Sequence, residues 1–573
     1  MLNLGYISFL KTYNQYNFNK QLYTLLQKCT NTTSVRQVSH KNKPTPLAPL
    51  TFNETLNYRR NQAKRSILVQ VQSMESYKEL YSYISTLGNV HEMLHYVTST
   101  DQLHFIIVEF DNEEQVSNII QNSSHINSGE SFPIHSNFLW FKATNRKNSK
   151  LKIPKNFKLG MENGNQIPSK NEICNLLLGQ DNTNHQIQTL HDVTKLNDVA
   201  TRLRFLTTRQ VELSVAGMFP NAVAYPFGSS VNGFGKMGCD LDIVFRLAEE
   251  QTKSDSRLIF HCKANNLYER SITHRHMEVV GDVLQLFLPG CTQIRKILQA
   301  RVPIIKYYQQ FTDVECDLSM SNMSGVCMSD LLHLYGSIDA RVRPLVFTVR
   351  KWAQEVGITN SSPGRWISNF SLTLLVLAFL QQPNNAPPVL PSVHHVLQQI
   401  GLKCENVLEE TLQFSFSESG KTLKFKSSNT DDLETLLKQF FNFYSSFDFS
   451  SKAISLNEAI SITKPEYSPL YIVNPLERGL NVSKNVSLDE LEKFRYEIRN
   501  ALWVLESNQG KSNSNWGLLE MFQTKRKSFQ SNYHSFRHDR LMEVSKLFEE
   551  DSNGQENSKE TNKDSYQYEK ANR

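Results

Sequence analysis

Tyr225-Pro-Phe-Gly-Ser-Ser-Val-Asn-Gly-Phe-Gly-Lys-Met-Gly-Cys-Asp-Leu-Asp-Ile-Val-Phe245 reads as a turn rich in small residues that leads into a strand, Leu241 to Phe245, with Asp240 and Asp242 at its entrance. Side chains two apart on a strand point to one face, so the two carboxylates converge on one point. Paired carboxylates suit hard divalent ions such as Mg²⁺ or Mn²⁺, held together with phosphate oxygens and water. Upstream, Phe227 precedes Gly228-Ser229, where the lack of a Cβ lets backbone N–H groups and a hydroxyl approach a phosphate closely. The combination implies a bound nucleoside triphosphate.

Outward from that stretch, a helix over Val199–Met218 leads in, and Glu278–Leu288 and Thr292–Ala300 read as helices beyond it. Arg301–Tyr307 and Asp313–Leu318 follow as strands, and the second brings a third acid, Asp317, toward the pair. This order of Gly-Ser, spacer, Asp-x-Asp and later Asp resembles the nucleotidyltransferase superfamily of DNA polymerase β. The flanks resemble the poly(A) polymerases and terminal uridylyltransferases, above all the mitochondrial poly(A) polymerases. The resemblance implies an α+β chain. It would combine a polymerase β-like nucleotidyltransferase domain with a mixed sheet, a helical central domain, and a small N-terminal ferredoxin-like (RRM-like) domain.

The same resemblance implies the chemistry. Asp240, Asp242 and Asp317 would hold two metal ions, Mg²⁺ or Mn²⁺, for an in-line displacement at the α-phosphorus of ATP by an RNA 3′-hydroxyl, with loss of pyrophosphate. Asn322, Arg350, Asn369, Phe370 and Asn474 match nucleotide-pocket positions of relatives, Arg350 toward the triphosphate and Phe370 under the base. Gln354 stands where a second basic ligand is expected, and Met328-Ser329 where the uridylyltransferases carry Asn-Thr. Leu480 occupies the place of a uracil-reading His, which favours ATP over UTP. The expected activity is template-independent addition of AMP to RNA 3′ ends. The alternatives are uridylyl transfer, and a catalytically silent RNA-binding scaffold on the same fold.

Length and composition frame this reading. A chain of 573 residues predicts about three domains. Its 62 basic against 56 acidic residues make it mildly basic, compatible with a nucleic-acid partner. Eight cysteines without C-x-x-C spacing suggest neither a zinc site nor a disulfide framework. The longest apolar run, Leu372 to Leu380, is too short to cross a bilayer, so no membrane span is expected. The first 53 residues lack Asp and Glu while carrying Lys11, Lys20, Lys28 and Arg36, which resembles a mitochondrial presequence over 1–45 and predicts a matrix location.

The expected organisation continues with a βαββαβ domain over 60–145, in which Phe105 and Phe110 are candidates to stack RNA bases, with core packing against the helices the favoured alternative, and which the resemblance associates with a homodimer more than with base readout. A linker over 146–190 precedes the catalytic domain, 191–328. The helical domain, 329–510, contains a variable insertion near Cys404–Phe447 and the segment Pro469–Ser483. A polar tail, 511–573, closes the chain.

Overall fold

The computed structural model describes residues 50–125, 134, 136–143, 154, 157–161, 163–219, 222–247, 269–320, 322–360, 364–383, 386–401, 425–507 and 516–522. The expected presequence, most of the polar tail and the first half of the insertion, 404–424, lie outside the described residues.

Helix α1 (Phe52–Lys64) starts at a capping box, in which Thr51 and Glu54 each bond the other's backbone N–H. Its buried Phe52, Leu56 and Ala63 form a sparse apolar stripe in a polar helix that sequence reading left out. Strand β1 (Ser66–Val71), α2 (Tyr77–Ile84), β2 (Val90–Val97), β3 (His104–Phe110), α3 (Glu113–Gln121), β4 (Phe138–Trp140) and β5 (Gly160–Met161) follow. They make a sheet of order β4-β1-β3-β2-β5. This is the ferredoxin-like order with an added edge strand. One strand departs from it: β4 runs parallel to β1. Two split βαβ units would make β4 parallel to β3, and hence antiparallel to β1, because β1 and β3 are antiparallel.

Of the two readings of Phe105 and Phe110, RNA stacking is corrected and core packing, the favoured one, holds. The two residues are five apart on one strand and so point to opposite faces. Phe110, fully buried, packs under α2 and α3, while Phe105, 2% exposed, packs toward α1 and the catalytic domain. Neither ring has a free face.

Helices α4 (Lys170–Leu178) and α5 (Thr183–Thr194) occupy the later part of what was expected to be a linker. Their Ile173, Leu177, Ile187 and Leu190 enter the large helical core, so this part is structural. Helix α6 (Asp198–Val215) then joins two cores. Val199, Leu203 and Leu206 face the N-terminal sheet, and Val211 and Val215 face the second sheet.

That second sheet contains β6 (Ala222–Phe227), β7 (Leu241–Leu247), β8 (Cys291–Ile297), β9 (Ile304–Gln309) and β10 (Val314–Ser319), in the order β6-β7-β10-β9-β8, with α7 (Glu269–Leu286) packed behind it. Thr292–Ala300, expected to be helical, is thus strand β8 and its exit. Its spacing of apolar and charged residues fits either period, and antiparallel pairing with β9 decides it.

The helical domain follows with α8 (Met323–Ile338), α9 (Val342–Glu355), α10 (Asn369–Leu380), α11 (Val393–Ile400), α12 (Leu433–Ser445), the hairpin β11 (Lys452–Ser455) and β12 (Ile460–Thr463), α13 (Leu488–Ser507) and α14 (Leu518–Phe522). Helix α10 is apolar all round and buried all round, as that pattern requires. Helix α12 lies in the expected insertion, yet Phe440, Phe441 and Tyr444 are core residues beside Trp352 and Phe379. Among the described residues no helix is long and apolar enough to cross a membrane.

Candidate active site

Strands β7 and β10 are parallel neighbours in a register that puts Asp317 directly opposite Asp242. Asp240, just ahead of β7, completes the cluster, and one oxygen from each acid lies within 4.8 Å of the other two. Burial first, then the carboxylates of Asp240 and Asp317, push Asp242 up to about 7. Asp317 is also raised by burial, and Lys306 opposes that shift.

Lys306 on β9 sits opposite Asp317 in the antiparallel register, and its Nζ donates to both carboxylate oxygens at 2.6 and 2.8 Å. One lysine against three acids leaves unbalanced negative charge. A divalent cation among them removes it, so this donor set fits Mg²⁺ or Mn²⁺. Sequence reading missed Lys306, although hairpin pairing of the two strands it predicted would have brought the lysine to Asp317.

The turn between β6 and β7 is built around the acids. Gly228 has φ +69°, and a Cβ there would stand 2.3 Å from Asp242 Oδ2. Its N–H donates to Ser329 Oγ at 2.7 Å, while that hydroxyl donates to Gly325 O at 2.7 Å. Ser329, at the position where the uridylyltransferases carry the second residue of Asn-Thr, is therefore engaged in holding the turn.

Behind the turn, the fully buried Arg204 of α6 donates to Ser230 Oγ at 3.1 Å, to Asn165 Oδ1 at 2.8 Å, and to the carbonyl of Cys239. Ser230 Oγ donates to Asp240 O at 2.9 Å, and Asn165 Nδ2 to Asp313 O at 2.6 Å. One guanidinium thus links the approach to β7 with the approach to β10.

A cleft of about 720 Å³ opens from the acids toward α8, α9 and α10. Phe227, Gly228, Ser229, Asn322, Arg350, Asn369, Phe370 and Asn474 all line it, together with Asp240 and Asp242. Arg350 donates to Phe234 O at 2.7 Å; burial lowers its guanidinium, and Asp240 partly opposes that shift. Lys351 is turned into an ion pair with Glu355 at 2.9 Å.

The second cation comes from the glycine-rich turn. Lys236 lines the cleft and its Nζ reaches Gln354 Oε1 at 3.2 Å, beside the position where a basic residue was expected. Burial, then Arg350 and Lys351, lower its amine. This lysine stood in the opening stretch of sequence, and only the fold gives it a partner.

Asn474 Oδ1 accepts from the backbone N–H groups of Leu476 and Glu477 at 2.9 and 3.1 Å, and both of those residues line the cleft. Leu480 is not among the lining residues; its carbonyl accepts from Asn474 N at 2.9 Å. Asn481, by contrast, is buried and bonds Ile472, Ser483, Ser468 and Leu470, and Ser483 then meets Ser371 of α10 at 3.1 Å.

Comparison with known proteins agrees with this geometry. Residues 183–337 match the family described as "Poly(A) RNA polymerase, mitochondrial-like, central palm domain", and residues 51–124 match the RL domain. The mitochondrial poly(A) RNA polymerase of Drosophila melanogaster is 44% identical over 523 residues, covering 88% of this chain and 85% of that protein. The Homo sapiens protein of the same name is 34% identical over 484 residues, covering 82% of this chain and 80% of its own. A crystal structure of mtPAP in complex with ATPγS is similar at a TM-score of 0.72 and 31% identity, covering 82% of this chain and 99% of that chain. A complex of mtPAP with UTP gives the same TM-score of 0.72 at 32% identity, with the same coverage of 82% and 99%.

Proposed function

The chain belongs to the mitochondrial poly(A) RNA polymerases, and on that premise we propose that it transfers AMP from ATP to the 3′-hydroxyl of mitochondrial RNA without a template, releasing pyrophosphate. The observation that carries the reading is three converging carboxylates at one end of a cleft whose other walls present Ser229, Lys236 and Arg350.

Asp240, Asp242 and Asp317 would hold two divalent ions, Mg²⁺ or Mn²⁺. When bound, such ions neutralise the triphosphate and lower the pKa of the attacking hydroxyl. The chain's own groups do the rest. Ser229 and the backbone of the Gly228 turn cradle phosphate oxygens, while Lys236 and Arg350 offset the charge of the departing pyrophosphate. Phe370, with the apolar Met328 and Leu476, offers the base a surface to lie on. A carboxylate oxygen of Asp317 takes the proton of the 3′-hydroxyl as the new P–O bond forms and the bond to pyrophosphate breaks. ATP as the nucleotide follows from the family. The proposal extends to a homodimer and to the mitochondrial matrix.

The test is extension of a short 3′-hydroxyl RNA by the full chain, with each nucleoside triphosphate supplied alone, beside Asp317→Ala. A ladder with ATP that disappears in the variant is the expected result. A ladder with UTP but not ATP would overturn the nucleotide, and none with any nucleotide, from folded protein that binds ATP, would overturn the transferase. Light scattering on the same preparation reads the homodimer.

A further inference from the structure

With both phenylalanines buried, the RNA itself has no assigned contact, and the second sheet offers one. Its pairing registers line up five residues, one per strand, across a single face: Phe227 opposite Asp242, Asp242 opposite Asp317, Asp317 opposite Lys306, and Lys306 opposite Arg295. At the Phe227 end, the row enters the nucleotide cleft. Phe227 and Asp242 line that cleft, whereas Asp317, Lys306 and Arg295 do not. The row therefore passes from nucleotide to metal ligands and then out onto β8, the edge strand of this sheet among the described residues.

The edge is built for anions. Ile294 packs with the core behind the sheet, and Lys296 Nζ donates to the backbone carbonyl of Glu278 and pairs with the Asp282 carboxylate of α7. Their alternates Arg295 and Ile297 face the other way and are exposed. Arg295 has no carboxylate partner among the described residues, and it stands directly across from a second cation. Like charges directly opposite one another on a sheet are unfavourable unless something negative bridges them. Asp317 serves Lys306 from one side, and nothing among the described residues serves Arg295.

In an in-line displacement the attacking oxygen approaches the phosphorus from the side opposite the leaving group. Pyrophosphate leaves toward Lys236 and Arg350 within the cleft, so the 3′-hydroxyl arrives from beyond Asp317. We propose that Lys306 and Arg295 form the phosphate track for the last nucleotides of the RNA primer, delivering its 3′ end along β9 and β8 to Asp317. This rests on the polymerase reading above.

Arg295 is the residue to perturb, because it is exposed and touches none of the three acids. In the full chain, Arg295→Glu is expected to raise the KM for primer about tenfold while leaving KM for ATP and kcat at saturating primer within about twofold. Arg295→Ala should make the salt dependence of single-stranded RNA binding shallower by about 0.7 in the log–log slope, the signature of one lost phosphate contact. Lys296→Met removes the same charge on the other face and should change neither. Binding is read by fluorescence anisotropy on a 3′-deoxy-terminated RNA without ATP, so it needs no catalysis. If the parent chain extends RNA and both Arg295 variants match it in primer KM and salt slope, the track is wrong. A change in molecular mass with unchanged primer KM would instead make β8 a contact between copies, and would also overturn the proposal. If the parent chain makes no ladder but Arg295→Glu still weakens RNA binding, the track stands and the transferase reading fails.

Discussion

Gly228→Ala separates the conformation of the active-site turn from its clearance. Two effects are expected. At φ +69°, an L side chain adds backbone strain of about 1–2 kcal/mol. The added Cβ would also lie 2.3 Å from Asp242 Oδ2, more than 1 Å inside ordinary contact, and the carboxylate is the softer of the two partners. Asp242 can rotate away at little further expense in stability, but it then leaves the point where the three acids converge. A displacement near 1 Å at a reacting centre is worth about 10²-fold in rate. Gly357→Ala is the matched control: φ is +75°, and its Cβ would come only as near as 3.4 Å to Lys493 Nζ. Both variants should lose a similar 1–2 kcal/mol in denaturant unfolding, whereas only Gly228→Ala should lose about a hundredfold in single-nucleotide extension at saturating metal. Retention of activity within about threefold by Gly228→Ala would refute the clearance argument. Equal activity losses in both variants would attribute the effect to strain.

Two further outcomes follow from buried groups. Arg204→Met leaves the Cys239 carbonyl and Asn165 without their buried donor, at about 1–3 kcal/mol for each unsatisfied group. It should raise the half-saturating Mn²⁺ concentration, read by titration of extension rate and by Mn²⁺ binding, with Arg204→Lys recovering part of both; unchanged metal affinity would make the linkage irrelevant to the acids. Burial is the leading cause that lowers His95, His191 and His333 below the usual imidazole range. At these three sites the unfolded chain binds more protons than the folded one between the ordinary value near 6.5 and the lowered ones, so their contribution to stability rises with pH across that window, opposite in sign to that of the raised Asp242 and Asp317. The histidine share is read as a difference: between about pH 7 and 5 the melting temperature of His191→Gln should lose less, or gain more, than that of the parent chain; identical pH profiles would contradict the burial argument.

The acids were legible because strand alternation is a local rule. Asp240 and Asp242 need only their spacing, and Asp317 only a strand of its own. The residues that serve them are not local. Arg204 stands 26 residues before Ser230 and 39 after Asn165, and nothing about an arginine in an amphipathic helix distinguishes a buried hub from a solvated one. Lys236 lay in plain view within the glycine-rich turn, yet its partners are on α9. Helix α1 was missed for a related reason: it is mostly polar, and its few apolar side chains matter only once α6 and the N-terminal sheet supply a surface for them. Strand β8 was misread because a short mixed run satisfies two periods, and only β9 breaks the tie.

The N-terminal sheet shows how tertiary context reassigns a surface. Glu109 on β3, 2% exposed, accepts from Gln62 and Arg65 next to and within α1's end, and from Arg202 of α6 at 2.6 Å, while Arg202 also reaches Glu92 and Asp198. Removing one partner from such a buried network is strongly destabilising, since it strands the other charge. The same sheet touches the carrier of the third acid. Tyr96 donates to Phe311 O at 2.5 Å, Ser99 N to Asp313 at 2.9 Å, and Phe105 packs 5.5 Å from Phe311. Residues 311–313 lead directly into β10. A face that an isolated RNA-recognition fold would offer to bases is therefore engaged in fixing the turn from which Asp317 projects.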